Sequence, residues 1–229
     1  MPRSPVQFSP LPGVRNVARW CAKFRTSMAR RWRYWTSLDG WYGVATDGHI
    51  PLNRLTGINS PYLADGTQYQ PTPAKLLKHV LSSLRIDHRR FVFIDFGSGK
   101  GRTLLLASHS PFKRVVGIEF APELHAQAVK NLKLYRSRHR RCWQVESVCA
   151  DAATFEVPLE PSVFYFFNPF GPQVLRRVLT NIQQSLSAAP REVLYIYCNP
   201  VHPEVFEEMG VPREALHLVP VTDADLIRG

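Results

Sequence analysis

The chain has 229 residues, 45% of them apolar, which suits one globular domain with an appendage, and it carries a formal net charge of +11. Its longest apolar runs are far too short for a transmembrane helix, and its start, MPRSPVQFSPLPG, has no apolar core of a secretory signal. Eight histidines and four cysteines (Cys21, Cys142, Cys149, Cys198) form no HxxxH, HExxH or CxxC pattern, so no metal site is expected and the thiols read as free in a reducing, cytoplasmic compartment.

The positive charge is concentrated at the start. Residues 1–35 hold eight Arg or Lys and no acid, interleaved with Trp20, Phe24, Trp32, Tyr34 and Trp35, with a helix expected from Val14 to Trp35. Three readings stand side by side: an arm for phosphates of RNA or of an anionic lipid surface, an amphipathic helix docked on its own domain, and a targeting presequence. Residues 40–72 are rich in Gly, Pro, Asn, Asp and Tyr and read as an irregular connector or lid. The expected division is therefore 1–72, extension and connector, and 73–229, the main domain.

From residue 73 strands and helices alternate. AKLLKHVLSSL puts Leu76, Leu77, Val80, Leu81 and Leu84 on one helical face. FVFIDF is an apolar strand ending on an acid, and GRTLLLASHS opens a helix. RVVGIEF is a second strand, again ending on an acid, and PELHAQAVKNLKLY a helix with proline in its first turn. QVESVCAD, SVFYFFNPF and EVLYIYCNP are three more strands, with the helix PQVLRRVLTNIQQSL before the last. ALHLVPV reads as an antiparallel sixth strand, and DADLIRG is short for a seventh. Apolar strands separated by amphipathic helices imply an α/β, doubly wound, mostly parallel sheet covered on both faces. Ligands of such sheets sit beyond the C-terminal strand ends, where Asp95, Glu119, Asp151 and Asn168 all fall.

Gly97, Gly99 and Gly101 follow the first strand. A phosphate-binding loop needs glycine at position 94 and a hydroxyl at 101, where Ile94 and Gly101 stand. A dinucleotide fingerprint needs its third glycine one residue later. The remaining reading is the loop acid-x-Gly-x-Gly-x-Gly, which suits S-adenosylmethionine. That ligand bears no phosphate, and glycine lets backbone approach it. Asp95 suits its ammonium group, N–H groups opening the next helix suit its carboxylate, Glu119 its ribose diol, and Asp151 with the Ala152 amide its adenine.

IDFGSGKGR, VVGIEF and CADAATF in this order resemble the class I, seven-strand, Rossmann-like methyltransferases over about residues 73–200. The resemblance implies S-adenosylmethionine as cofactor, no metal, and a binding set of Asp95, Gly97, Ser98, Gly99, Gly101, Glu119, Phe120, Asp151, Ala152 and Asn168. It also implies that FFNPF faces the transferred methyl. Related enzymes acting on amino nitrogens often carry Asn, Asp or Ser followed by Pro-Pro-aromatic, and Asn168-Pro169-Phe170 is one proline short of that. YQPTP before the glycine loop resembles small protein-lysine methyltransferases. On this basis the catalytic candidates are Asn168, Phe170 and Tyr69, with Phe167 and Trp41 as further walls, and the leading acceptor is a protein lysine. The alternatives are an RNA acceptor held by the basic arm, a small-molecule amine, and a cofactor-binding module without transfer. Asn168 as a cap of the next helix, and Thr72 as a helix cap, are the structural alternatives.

Overall fold

The computed structural model describes residues 37–222. The basic arm with its expected helix Val14–Trp35, and the seventh-strand candidate 223–229, lie outside them. The chain divides into two compact units, Met1–Gly43 and Val44–Gly229. The described part of the first is one short helix, α1 (Leu38–Tyr42). Ser37 caps it by accepting from the Gly40 N–H at 3.2 Å, and left-handed Gly43 ends it.

The second unit is built on six strands: β1 (Val92–Phe96), β2 (Arg114–Glu119), β3 (Val145–Cys149), β4 (Ser162–Phe167), β5 (Val193–Cys198) and β6 (Leu216–Val219). Their order in the sheet is β3-β2-β1-β4-β5-β6 and every pairing is parallel. This is the doubly wound, Rossmann-like arrangement, with its topological switch between β1 and β4. The helices that return the chain are α2 (Ala74–Ser83), α3 (Arg102–Ala107), α4 (Pro122–Leu134), α5 (Pro172–Ala188) and α6 (Glu204–Glu208).

Side-chain alternation along the strands separates two cores. Val92, Ile94, Phe96, Phe164, Phe166, Tyr195 and Tyr197 face α5 and α6 and pack on Val174, Leu175, Val178, Leu179, Ile182 and Phe206. Phe93, Val115, Val163, Tyr165, Ile196 and Cys198 face the other way, onto Leu77, Val80 and Leu81 of α2 and Leu104 and Ala107 of α3. Burying each large apolar side chain contributes about 1.5–3 kcal/mol. These two layers fix the direction of every strand end.

One expectation is corrected. The segment around ALHLVPV pairs with β5 in parallel, not antiparallel. Between Cys198 and Leu216 the chain makes α6 and a single turn at Arg213–Ala215, a crossover long enough to return it to the starting end of the sheet.

Segment 44–72 has little regular structure of its own, only single turns at Leu52–Arg54 and Leu63–Asp65 and bridges pairing Ile50 with Tyr69 and Gly66 with Phe170. It lies within the second unit and is held there by side-chain hydrogen bonds to residues far along the chain.

Candidate functional site

The C-terminal ends of β1, β2 and β4 open into a cavity of about 270 Å³. Asp95, Gly97, Ser98, Gly99, Glu119, Phe120, Asp151, Ala152, Asn168, Phe170 and Tyr69 all line it. Gly101 is not among its lining residues; it stands in a left-handed conformation at the start of α3.

The glycine loop is shaped first by its backbone. Gly97 and Gly99 have φ of 79° and 53°, which disfavour any side chain. A Cβ on Gly97 would overlap Pro169, and one on Gly99 would overlap the Tyr69 ring. Glycine here therefore admits two neighbouring walls of the cavity, a reason that ligand approach alone does not supply. The Gly97 and Ser98 N–H groups donate to the Ile118 carbonyl at 2.9 and 3.0 Å, tying the loop to β2.

Two carboxyl groups sit beneath this loop. Asp95 is 2% exposed and its Oδ2 has no hydrogen-bond partner, and Ser98 Oγ has none either. Burial pushes Asp95 up to about 8, opposed by a hydrogen bond from Thr103 and reinforced by the charge of Glu119. Glu119 accepts the Gly99 N–H at 2.7 Å and the Ala121 N–H at 2.9 Å, one on each oxygen. Burial raises it to about 7, opposed by the backbone N–H groups of Ala121, Gly99 and Phe120. Each Glu119 oxygen retains a lone pair for a hydroxyl. Behind Asp95, the hydroxyls of Thr103 and Thr72 stand 3.3 Å apart and Tyr165 donates to Thr72 at 3.3 Å. Thr72 is thus a buried member of this chain of hydroxyls, and the cap position of α2 is Pro73.

Asp151 Oδ1 accepts the Ala153 N–H at 2.8 Å, while Oδ2 accepts from Ser60 at 2.5 Å. On the β4 side, Asn168 is left-handed with φ of 45°, a conformation asparagine tolerates. Its Oδ1 accepts from the Tyr197 hydroxyl at 3.3 Å, and that hydroxyl accepts the His202 N–H at 3.2 Å. Asn168 does not cap α5. That role falls to Asp65, whose Oδ2 accepts the Val174 N–H at 2.8 Å in the first turn of the helix. Asn199 at the end of β5 repeats the left-handed Asn-Pro turn of Asn168 and also lines the cavity.

Tyr69 presents its ring to the cavity, since its hydroxyl donates to the Thr46 carbonyl. The Lys100 ammonium lies 4.9 Å from the centre of that ring. Phe170 is buried and meets Phe166 edge-on, and Phe167 completes the wall. Trp41 belongs to the first unit and is exposed.

Sequence reasoning missed the residues that close the cavity. Thr67 donates to the Asn168 and Pro169 carbonyls at 3.0 and 2.9 Å, Ser60 to Asp151, and Asp65 caps α5. Buried Arg102 donates to Thr46 at 2.8 Å and pairs with Asp47. Buried Asn131 bonds the Ala45 N–H and carbonyl and the Lys100 carbonyl. All join segment 44–67 to the core over long sequence distances. The only local signal for them was a stretch of turn residues. Among the described residues there is no cluster of His, Cys, Asp and Glu able to hold a metal ion.

The donor set suits one type of ligand. An orphaned carboxyl oxygen, a second carboxylate with free lone pairs and a loop facing two carboxyl groups favour a ligand with a cationic group and hydroxyls, and disfavour phosphates.

No family model and no curated protein matches the chain. Among solved structures it is similar to a SAM-dependent methyltransferase from Geobacter sulfurreducens in complex with S-adenosyl-L-homocysteine, at 18% identity over 53% of this chain and 47% of that one, with a TM-score of 0.40. A SAM-dependent methyltransferase from Thiobacillus denitrificans, also with S-adenosyl-L-homocysteine, gives 19% identity over 55% and 49%, with a TM-score of 0.42. This chain thus spans about half the length of both. An RNA methyltransferase from Salinibacter ruber in complex with the same compound gives 26% identity over 56% of this chain and 78% of that one, with a TM-score of 0.41.

Proposed function

We propose that the chain is an S-adenosylmethionine-dependent methyltransferase acting on an amino nitrogen, with a protein lysine as the leading acceptor. The observation that carries this reading is Asp95: a buried carboxyl with an unpartnered oxygen, under a glycine loop, at the switch point of a doubly wound sheet.

The residues present fit the cofactor. Asp95 accepts from the ligand's ammonium group, and Glu119 from its ribose hydroxyls through the lone pairs left on each oxygen. Phe120, Asp151 and the Ala152 amide take the adenine. Bound there, the cofactor supplies a methyl group made electrophilic by its sulfonium. The protein's part is to hold the acceptor nitrogen in line and dry. Asn168 Oδ1, with one lone pair still free, accepts an N–H of the incoming amine and aims its lone pair. Phe170, Phe167 and the Tyr69 ring exclude water and favour the neutral amine, whose extra proton leaves to solvent before transfer. Domain division follows the same reading, with 73–229 as the catalytic domain and the preceding connector as its lid.

Titration calorimetry with S-adenosylhomocysteine tests the site, and labelled-methyl transfer to a cell extract tests the activity. Label that is lost with protease and kept with nuclease supports lysine. No binding of the cofactor product by the folded protein overturns the whole reading. A second acceptor reading, RNA, is favoured by the acid-free, arginine-rich residues 1–35. Nuclease-sensitive label would select it, and label in neither polymer would point to a small amine.

A further inference from the structure

A second charged surface lies at the opposite end of the sheet from the cavity. From Leu124 to Val145 the chain has six Lys or Arg (Lys130, Lys133, Arg136, Arg138, Arg140, Arg141) and no acid. The loop between α4 and β3 carries four of them, directly before β3 begins, so it stands at the N-terminal end of the strands.

This loop is held in one shape by its own hydrogen bonds. The Arg141 and Cys142 N–H groups donate to the Ser108 carbonyl at 2.7 and 2.9 Å. Arg136 donates to the Lys133 and Tyr135 carbonyls, and Arg140 to the Cys142 and Trp143 carbonyls at 2.9 and 3.0 Å. These two arginines serve as braces. Arg138 and Arg141 are exposed and their guanidinium groups have no hydrogen-bond partner among the described residues. Trp143 is 73% exposed, with the Arg140 guanidinium 4.9 Å from its ring centre. His109 lies below the usual histidine range, first because it is half-buried and then because His139 and Lys78 stand near it, which extends the positive region onto α2.

We propose that the loop Arg136–Trp143 is a docking surface for single-stranded nucleic acid, with phosphates paired to Arg138 and Arg141 and a base stacked on Trp143. Fixed cations beside a braced, open aromatic face are the two parts such a site needs. The Arg140 guanidinium over the indole sets a cation against the stacking ring, which suits a base with its phosphate more than acyl chains. The surface is separate from the cavity, so this inference does not rest on methyl transfer.

The test is fluorescence anisotropy of the full chain with labelled oligouridylate and oligothymidylate 12-mers from 50 to 200 mM salt. Affinity should fall with salt, and the double change Arg138→Ala/Arg141→Ala should reduce the log–log slope by about 1.4. Trp143→Ala should weaken binding roughly ten-fold or more, and Trp143→Phe should restore most of it. Saturating S-adenosylhomocysteine should leave the affinity unchanged. Four results would each overturn the proposal: no binding of either oligomer; unchanged binding by all three variants, which would move it to other residues; binding of phosphatidylserine vesicles in place of oligomers; or displacement of the oligomer by S-adenosylhomocysteine.

Discussion

At the C-terminal end of the strands, Asp95 and Glu119 are buried and one oxygen is unpartnered; at the N-terminal end, Arg138 and Arg141 stand in water. The two ends of one sheet carry acidic and basic side chains in opposite states of burial. Desolvation makes the acidic end responsive to pH and to a cationic ligand. Salt screens the basic end, whose charges contribute little to stability. A stability measurement should therefore see the first end and barely register the second.

The largest expected effect is at the glycine loop. Gly99→Ala adds a clash with the Tyr69 ring to a left-handed φ and should cost about 2–5 kcal/mol in urea denaturation. Tyr69→Ala removes the ring that the new methyl meets, so the two changes together should cost less than the sum of their separate costs, and strictly additive costs would break this account. Next comes Asp95→Asn, expected to weaken S-adenosylhomocysteine binding by about 1.5–3 kcal/mol in calorimetry.

The same variant exposes the pH behaviour. Asp95 at about 8 and Glu119 at about 7 lie above their ordinary 3.8 and 4.5, so the folded protein holds protons that the unfolded chain releases. Stability from this source is fully present below about pH 4 and is lost as pH rises through 7 and 8. Urea midpoints of the ligand-free protein should fall over that range by less in Asp95→Asn than in the wild type. Equal slopes would remove Asp95 from the explanation. A smaller effect is expected at Asn168, the residue proposed to meet the incoming amine. Tyr197→Phe deletes the bond to Asn168 and should slow methyl transfer by about 1 kcal/mol of barrier while leaving cofactor affinity unchanged. At the basic end, Arg141→Ala should change stability by less than about 0.5 kcal/mol, and a larger loss would erase the contrast between the ends.

Much of the acidic end was legible in sequence because it is local. A strand with Asp95 as its next-to-last residue and another that finishes on Glu119 place both carboxyls at one end of the sheet once the strands are parallel. The order of apolar runs carried the sheet, and proline in the first turns of α4 and α5 marked those helices. What was illegible depends on distant partners. Segment 44–67 reads as turns, since its purpose lies in bonds to Asn131, Asp151 and Asn168. The direction of β6 was hidden because four residues with three apolar side chains fit either pairing, and only the crossover decides. The basic loop is diluted in a whole-chain charge count, and the exposure of Trp143 beside the Arg140 guanidinium depends on the folded backbone of that loop.

Asp65 has one more implication. Helix α5 takes its N-terminal cap from a side chain 109 positions upstream, in a segment whose Tyr62, Gly66 and Thr67 line the cavity. Any movement that withdraws Asp65 leaves the Val174 N–H without its acceptor, so local opening of that segment and fraying of the helix start share one free-energy cost, about 0.5–2 kcal/mol for the cap. Hydrogen exchange at the Val174 amide would thus act as a clock for breathing of that segment, ticking more slowly whenever a ligand in the cavity holds it in place.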